Sequence, residues 1–156
     1  MAETKKIKTA LVSVFHKDDF TGVDAILSVV PYYNKPSQEG IYQHYKAISE
    51  ATDLPIVLYN VPGRTGCNIQ PETVATLVRE NENIVGLKEA TGNMAQASKT
   101  MYLCDGKLDL YSGEDGLVVP LMAIGGIGVI SVIANIAPQQ THDMCASYMA
   151  GDRAKA

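Results

Sequence analysis

Ile84-Val85-Gly86-Leu87-Lys88-Glu89-Ala90 is an apolar run that closes on an amine, and it lies one repeat downstream of Tyr59-Asn60-Val61-Pro62-Gly63-Arg64-Thr65-Gly66. A short apolar run without polar alternation reads as a strand buried on both faces, the mark of a parallel sheet. An amine at the end of such a strand is costly to keep charged. Its pKa is expected to fall, which makes the neutral, nucleophilic form available. Carbonyl chemistry through a Schiff base begins in this way.

Runs of the same kind recur at 9–15, 24–30, 56–61, 84–88, 108–112 and 128–134. Between the later ones stand helix-start signals: Ser37 ahead of Gln38-Glu39, Pro71 in Gln70-Pro71-Glu72, Gly92-Asn93 before Met94, and Pro138. Strand and helix in alternation predict an α/β fold with a parallel sheet and right-handed crossovers, either doubly wound or a (β/α) barrel. No Gly-x-Gly-x-x-Gly follows the first run, which removes the usual dinucleotide reading. Residues 16–23 are too few for a parallel crossover, which needs roughly a dozen residues. The first run is therefore expected to pair antiparallel, to leave the sheet, or to have lost linking material.

The 156 residues, 46% of them hydrophobic, suffice for one domain with a core. The net charge of −4 is scattered, and no basic block exists to track a phosphate backbone, so nucleic acid is not an expected partner. Apolar stretches are broken well short of a membrane span and residues 1–6 lack a signal-peptide core, so a cytoplasmic protein is expected. Cys67, Cys104 and Cys145 show no ligand spacing, and neither do His16, His44 and His142; no metal is expected. The plain readings of the polar candidates are a solvated strand end for Lys88, a surface or interface pair for Tyr32 and Tyr33, and a solvated loop cation for Arg64. Gly125, Gly126 and Gly128 read as close helix–strand approach rather than a phosphate cradle.

From residue 21 onward the sequence resembles one family. Pro31-Tyr32-Tyr33-Asn34-Lys35-Pro36-Ser37-Gln38-Glu39-Gly40, the segments at 59–66 and 86–93, Ser112-Gly113-Glu114-Asp115 and the glycine-rich stretch at 125–135 are similar to the dihydrodipicolinate (4-hydroxy-tetrahydrodipicolinate) synthase family, in its order and near its spacing. The resemblance implies a (β/α)8 TIM barrel, here partial, lacking the family's strands 2 and 3 and its C-terminal helical region. It implies that Lys88 forms a Schiff base with pyruvate, that Tyr59 relays protons beside the imine, and that Arg64 receives the carboxylate of L-aspartate 4-semialdehyde. Tyr33 matches the tyrosine that completes a proton relay across a dimer interface, so a homo-oligomer is expected. Gly113 and Ile130 match elements around the pyruvate pocket. Beyond the covalent imine at Lys88, no cofactor is implied. Arg64 separates this reading from an N-acetylneuraminate lyase-like pyruvate aldolase.

Two departures from the family pattern set the remaining expectations. Glu114 stands where the family more often has Asp, and the family's Gly-Thr-Thr-Gly-Glu segment, which supplies a relay threonine and carboxylate donors, does not occur in this sequence. Impaired catalysis is one expectation, and a silent, self-associating partial barrel is the alternative. Residues 6–17 are similar to the opening of the bifunctional purine-biosynthesis enzyme with an IMP cyclohydrolase domain. A foreign-looking strand in residues 1–20, followed by an aldolase domain over 21–156, is the expected organisation.

Overall fold

The computed structural model describes residues 24–156. The expected run at 9–15, the short connection at 16–23 and His16 lie outside the described residues. Five of the apolar runs become five strands: β1 (Ile26–Val29), β2 (Ile56–Asn60), β3 (Ile84–Glu89), β4 (Asp109–Ser112) and β5 (Gly128–Val129). Every neighbouring pair is parallel, and the order across the sheet is β1-β2-β3-β4-β5. A doubly wound sheet reverses its order at a switch point, whereas a barrel adds each strand beside the last. The fold is a partial TIM barrel.

The helices start where their local chemistry directs. α1 (Gln38–Glu50) begins after Ser37, whose hydroxyl accepts from Gly40 N–H, and α4 (Met94–Cys104) begins after Asn93, whose side chain accepts from Gln96 N–H. Proline opens α2 (Pro62–Thr65), α3 (Pro71–Glu80) and α6 (Pro138–Met149), where its missing N–H costs no helical hydrogen bond. A 3₁₀ turn (Asp115–Leu117) leads into α5 (Val118–Ala123), an element with no start signal in the sequence reading.

One run is shorter than its apolar length suggests. Of residues 128–134 only Gly128 and Val129 are strand. The Asp115 carboxylate accepts from Val132 N–H at 3.2 Å and Ile133 N–H at 3.1 Å, and the Ser131 hydroxyl accepts from Ala134 N–H. Those bonds take up the backbone donors and turn the chain into a second 3₁₀ segment, Ile133–Asn135.

Register divides the sheet into two faces. Leu58, Leu87 and Leu110 are partners across β2, β3 and β4, and all three are fully buried against the helix layer with Ile41, Tyr45, Val74, Leu77 and Ala97. The Tyr45 hydroxyl satisfies itself by donating to Ser28 O at 2.9 Å, which seats α1 on β1. On the opposite face the partners Tyr59, Lys88 and Tyr111 remain half-buried. Cys67 and Cys104 are buried free thiols, as packing alone requires. No described helix is long and apolar enough to cross a membrane.

Truncating the middle of this core tests the layer assignment. Leu87→Ala is expected to lower unfolding stability by about 2–5 kcal/mol. Tyr102→Ala, at a side chain 82% exposed, is expected to stay within about 0.5 kcal/mol. Urea unfolding of the two variants checks both.

Candidate active site

The carboxyl ends of parallel strands face one mouth, and register decides which side chains meet there. Tyr59 pairs with Lys88 and Lys88 with Tyr111, so the amine stands between two phenols from flanking strands. Lys88 Nζ lies 4.2 Å from the centroid of the Tyr59 ring. Burial pushes the Lys88 pKa below the ordinary lysine value, and the Asp115 carboxylate partly opposes that fall. The amine contacts the face of the ring. A proton passing between Nζ and the phenol oxygen therefore needs a turn of the lysine stem or a bridging water.

Gly113 lets β4 close on that stem. A Cβ at this position would fall 2.7 Å from Ala90 Cβ, 3.1 Å from Glu89 O and 3.1 Å from Lys88 Cε. Its N–H donates to Glu89 O at 2.7 Å, and Ile130 N–H donates to Ser112 O at 2.9 Å, so both residues continue the ladder at the rim of the mouth.

Arg64 sits on α2, the single helical turn that follows β2. Gly66 closes this turn in the left-handed region, φ 64°, and the Lys35 stem lies over it; a Cβ there would be 3.2 Å from Lys35 Cε. The next residues are fastened from behind the sheet. Asn60 Nδ2 donates to Asn68 Oδ1 at 2.8 Å, Asn68 Nδ2 to Gln96 Oε1 at 2.9 Å, and Gln96 Nε2 to Ile69 O at 3.1 Å. The Arg64 side chain itself is exposed and makes no ion pair among the described residues. Tyr33 is not brought to the Tyr59–Lys88 pair: it stands 91% exposed on the loop after β1, beside Tyr32 at 60%.

Three residues of this region escape the sequence reading. Tyr111 enters only through register. Asp115 lies in a quoted motif, yet nothing in the motif shows that its carboxylate binds Ser131, Val132 and Ile133 in the chain after β5. Glu89 is 3% exposed and points away from the amine with its register partners Asn60 and Ser112, both fully buried. Glu89 Oε1 accepts from Thr91 N–H at 2.6 Å, Oε2 has no partner among the described residues, and burial raises the carboxyl's pKa above the ordinary glutamate value. An acid directly after Lys88 is the available sequence signal. Among the described residues no three metal-ligating side chains converge, and His44 and His142 are both exposed.

The profile of the dihydrodipicolinate synthetase family matches residues 6–156. The 4-hydroxy-tetrahydrodipicolinate synthase of Lachnoclostridium phytofermentans is 56% identical over 131 residues, 84% of this chain and 45% of that protein. That of Phocaeicola vulgatus is 54% identical over 147 residues, 94% of this chain and 50% of that protein. Among solved structures, the chloride-inhibited dihydrodipicolinate synthase of Acinetobacter baumannii complexed with pyruvate aligns with a TM-score of 0.82 at 50% identity, covering 86% of this chain and 46% of that one. The chain spans about half the length of the curated relatives it matches. The match begins at residue 6, inside the stretch that resembles the IMP cyclohydrolase enzyme, and gives that second resemblance no support.

The buried carboxyl yields a pH test. A folded pKa above the unfolded value means that the stability cost is absent below the unfolded pKa, about 4.3 for glutamate, and grows as pH rises toward the folded value. Glu89→Gln keeps the acceptor for Thr91 N–H and removes the charge. It is expected to be more stable than the parent at pH 7 by about 1–2 kcal/mol. In urea unfolding across pH, the difference should vanish near pH 4.

Proposed function

The chain belongs to the dihydrodipicolinate synthetase family, and from that membership we propose that it performs the Schiff-base condensation of pyruvate with L-aspartate 4-semialdehyde, using Lys88 as the nucleophile. The observation that carries this reading is the half-buried Lys88 amine, its pKa lowered by burial, set 4.2 Å from the ring of Tyr59. The Acinetobacter baumannii relative complexed with pyruvate supports the choice of the first substrate.

Neutral Lys88 attacks the ketone carbon of pyruvate, and the carbinolamine loses water to give the imine. Tyr59 delivers and removes the protons of that exchange. Loss of a methyl proton gives the enamine, with the protonated imine nitrogen as the electron sink. The enamine carbon attacks the aldehyde of the semialdehyde, whose carboxylate pairs with the Arg64 guanidinium, a planar fork suited to that group. That attack turns the aldehyde into a hydroxyl and restores the imine to Lys88; the semialdehyde's own amino group then adds to the imine carbon and displaces the Lys88 amine by transimination, closing the ring of 4-hydroxy-tetrahydrodipicolinate, an intermediate of lysine and diaminopimelate biosynthesis. Gly113 leaves room for the lysine stem to swing between imine and free amine, and Ile130 walls the pyruvate side. Tyr33, being exposed, is available to a second copy of the chain. The second reading, a catalytically silent partial barrel that self-associates, is favoured by one observation: the sequence has no Gly-Thr-Thr-Gly-Glu segment to hold the pyruvate carboxylate.

Incubation with pyruvate and borohydride followed by peptide mass spectrometry separates the two. The enzyme reading expects a reduced pyruvate adduct on Lys88 that is lost in Lys88→Ala and retained in Arg64→Ala, because Arg64 acts only on the second substrate. A folded protein without an adduct supports the silent barrel. Gly113→Ala, which presses on Lys88 Cε, is expected to slow adduct formation by about tenfold or more, as misplacement of a reacting group does.

A further inference from the structure

The stretch 61–70, which carries Arg64 between β2 and α3, is gripped on its returning limb from two sides. On one side Gln38, the first residue of α1, donates from Nε2 to Asn68 O at 2.8 Å, and its Oε1 accepts from Gln70 N–H at 2.9 Å and from the Thr73 hydroxyl at 2.8 Å. On the other side Gln96 of α4 pairs amide to amide with Asn68. Its Oε1 accepts from Asn68 Nδ2 at 2.9 Å and its Nε2 donates back to Asn68 Oδ1 at 3.0 Å. Both α1 and α4 pack on α3, so the two glutamines close on the limb from opposite flanks. Gln38 has a second use: Gln70 gives α3 no side-chain cap, and Gln38 Oε1 supplies the missing acceptor from another element.

We propose that Gln38 and Gln96 are positioning residues, a two-sided amide clamp that fixes where the turn presents the Arg64 guanidinium to the carboxylate of the second substrate. This rests on the reading of Arg64 as the group that receives that carboxylate. Nothing loose separates the gripped limb from the turn. The buried Thr65 hydroxyl accepts from Cys67 N–H at 3.1 Å and donates to Cys67 O at 2.8 Å, and Arg64 N–H donates to Val61 O at 2.9 Å. Because the Arg64 side chain is exposed and makes no ion pair among the described residues, its aim depends on the backbone beneath it. A guanidinium fork binds a carboxylate through two parallel bonds, so a small error in the turn weakens recognition out of proportion to its size. Amides suit the task, since they donate and accept at once and bring no further cation to compete with Arg64 for the substrate.

Gln38→Glu separates the clamp from the cap. Its carboxylate still accepts from Gln70 N–H and the Thr73 hydroxyl, at a helix start that favours negative charge, but it cannot donate to Asn68 O. Gln96→Leu removes the other arm. Parent and variants are loaded with pyruvate, L-aspartate 4-semialdehyde is added over a range of concentrations, and borohydride quenches the mixture. Peptide mass spectrometry then reads the pyruvate adduct left on Lys88. Both variants are expected to load pyruvate at the parental rate and to need about tenfold more semialdehyde to halve the adduct. Gln38→Ala, which loses cap and clamp together, should show the same rise with a lower urea midpoint, whereas Gln38→Glu keeps the parental midpoint.

In a parent whose adduct responds to semialdehyde, an unchanged half-effect concentration in Gln38→Glu and Gln96→Leu overturns the clamp alone. So does pyruvate loading that slows in step with the rise, because that marks a general loosening of the mouth. A parent adduct that never forms, or that ignores semialdehyde, instead overturns the enzyme reading and the clamp with it.

Discussion

Everything at the mouth of this barrel depends on the parallel pairing of β2 with β3. Side chains alternate across a strand, so a slip of one residue would send Lys88 into the helix layer and bring Glu89 to the mouth. Two opposite demands prevent that slip. Leu58 and Leu87 are fully buried on one face, and the Tyr59 ring covers the amine on the other. A register that satisfied only one of these pairs would bury a charge among leucines or leave leucines in water, each at a cost of several kcal/mol.

The row of residues at the strand ends shows how the loops are held. Asn60, Glu89 and Ser112 are side by side, buried and polar, and each binds backbone in the loop that follows its own strand. Asn60 Oδ1 accepts from Ile69 N–H, Glu89 from Thr91 N–H and Ser112 from Glu114 N–H. Loops fixed this way present their outer faces without moving, which site geometry requires of a segment lacking secondary structure. Asp115 adds the same service on the barrel side, between two loops instead of within one.

The strands and most of the helices were legible in the sequence because their signals are local: apolar runs, Ser37 and Asn93 as caps, and Pro71 and Pro138 as first-turn residues. The run pattern left a doubly wound order and a barrel both open, and the family resemblance decided for the barrel; the shortness of β5 and the presence of α5 were not legible, since each depends on contacts between distant segments. Asp115 ending β5 is the clearest instance, an acid that reads as a loop residue until its three donors are seen. At the candidate site the tyrosine–lysine pair follows from consecutive strands in a barrel. The orphaned oxygen of Glu89 and the flanking Tyr111 come only from packing and register.

The strictly sequential order of the sheet also bears on how the described part of the chain is made. Each strand from β2 to β5 pairs with the one before it, so its partner has already left the ribosome when it emerges. Each pairing closes one helical crossover, from 30 residues between Ile26 and Ile56 down to 17 between Tyr111 and Gly128, and none waits for a strand made later, so the pairings can accumulate from the amino end during synthesis. Lys88 emerges after the Tyr59 ring it will face, and Asp115 before the turn it will hold. Each half of the mouth is therefore present before the residue that must find it.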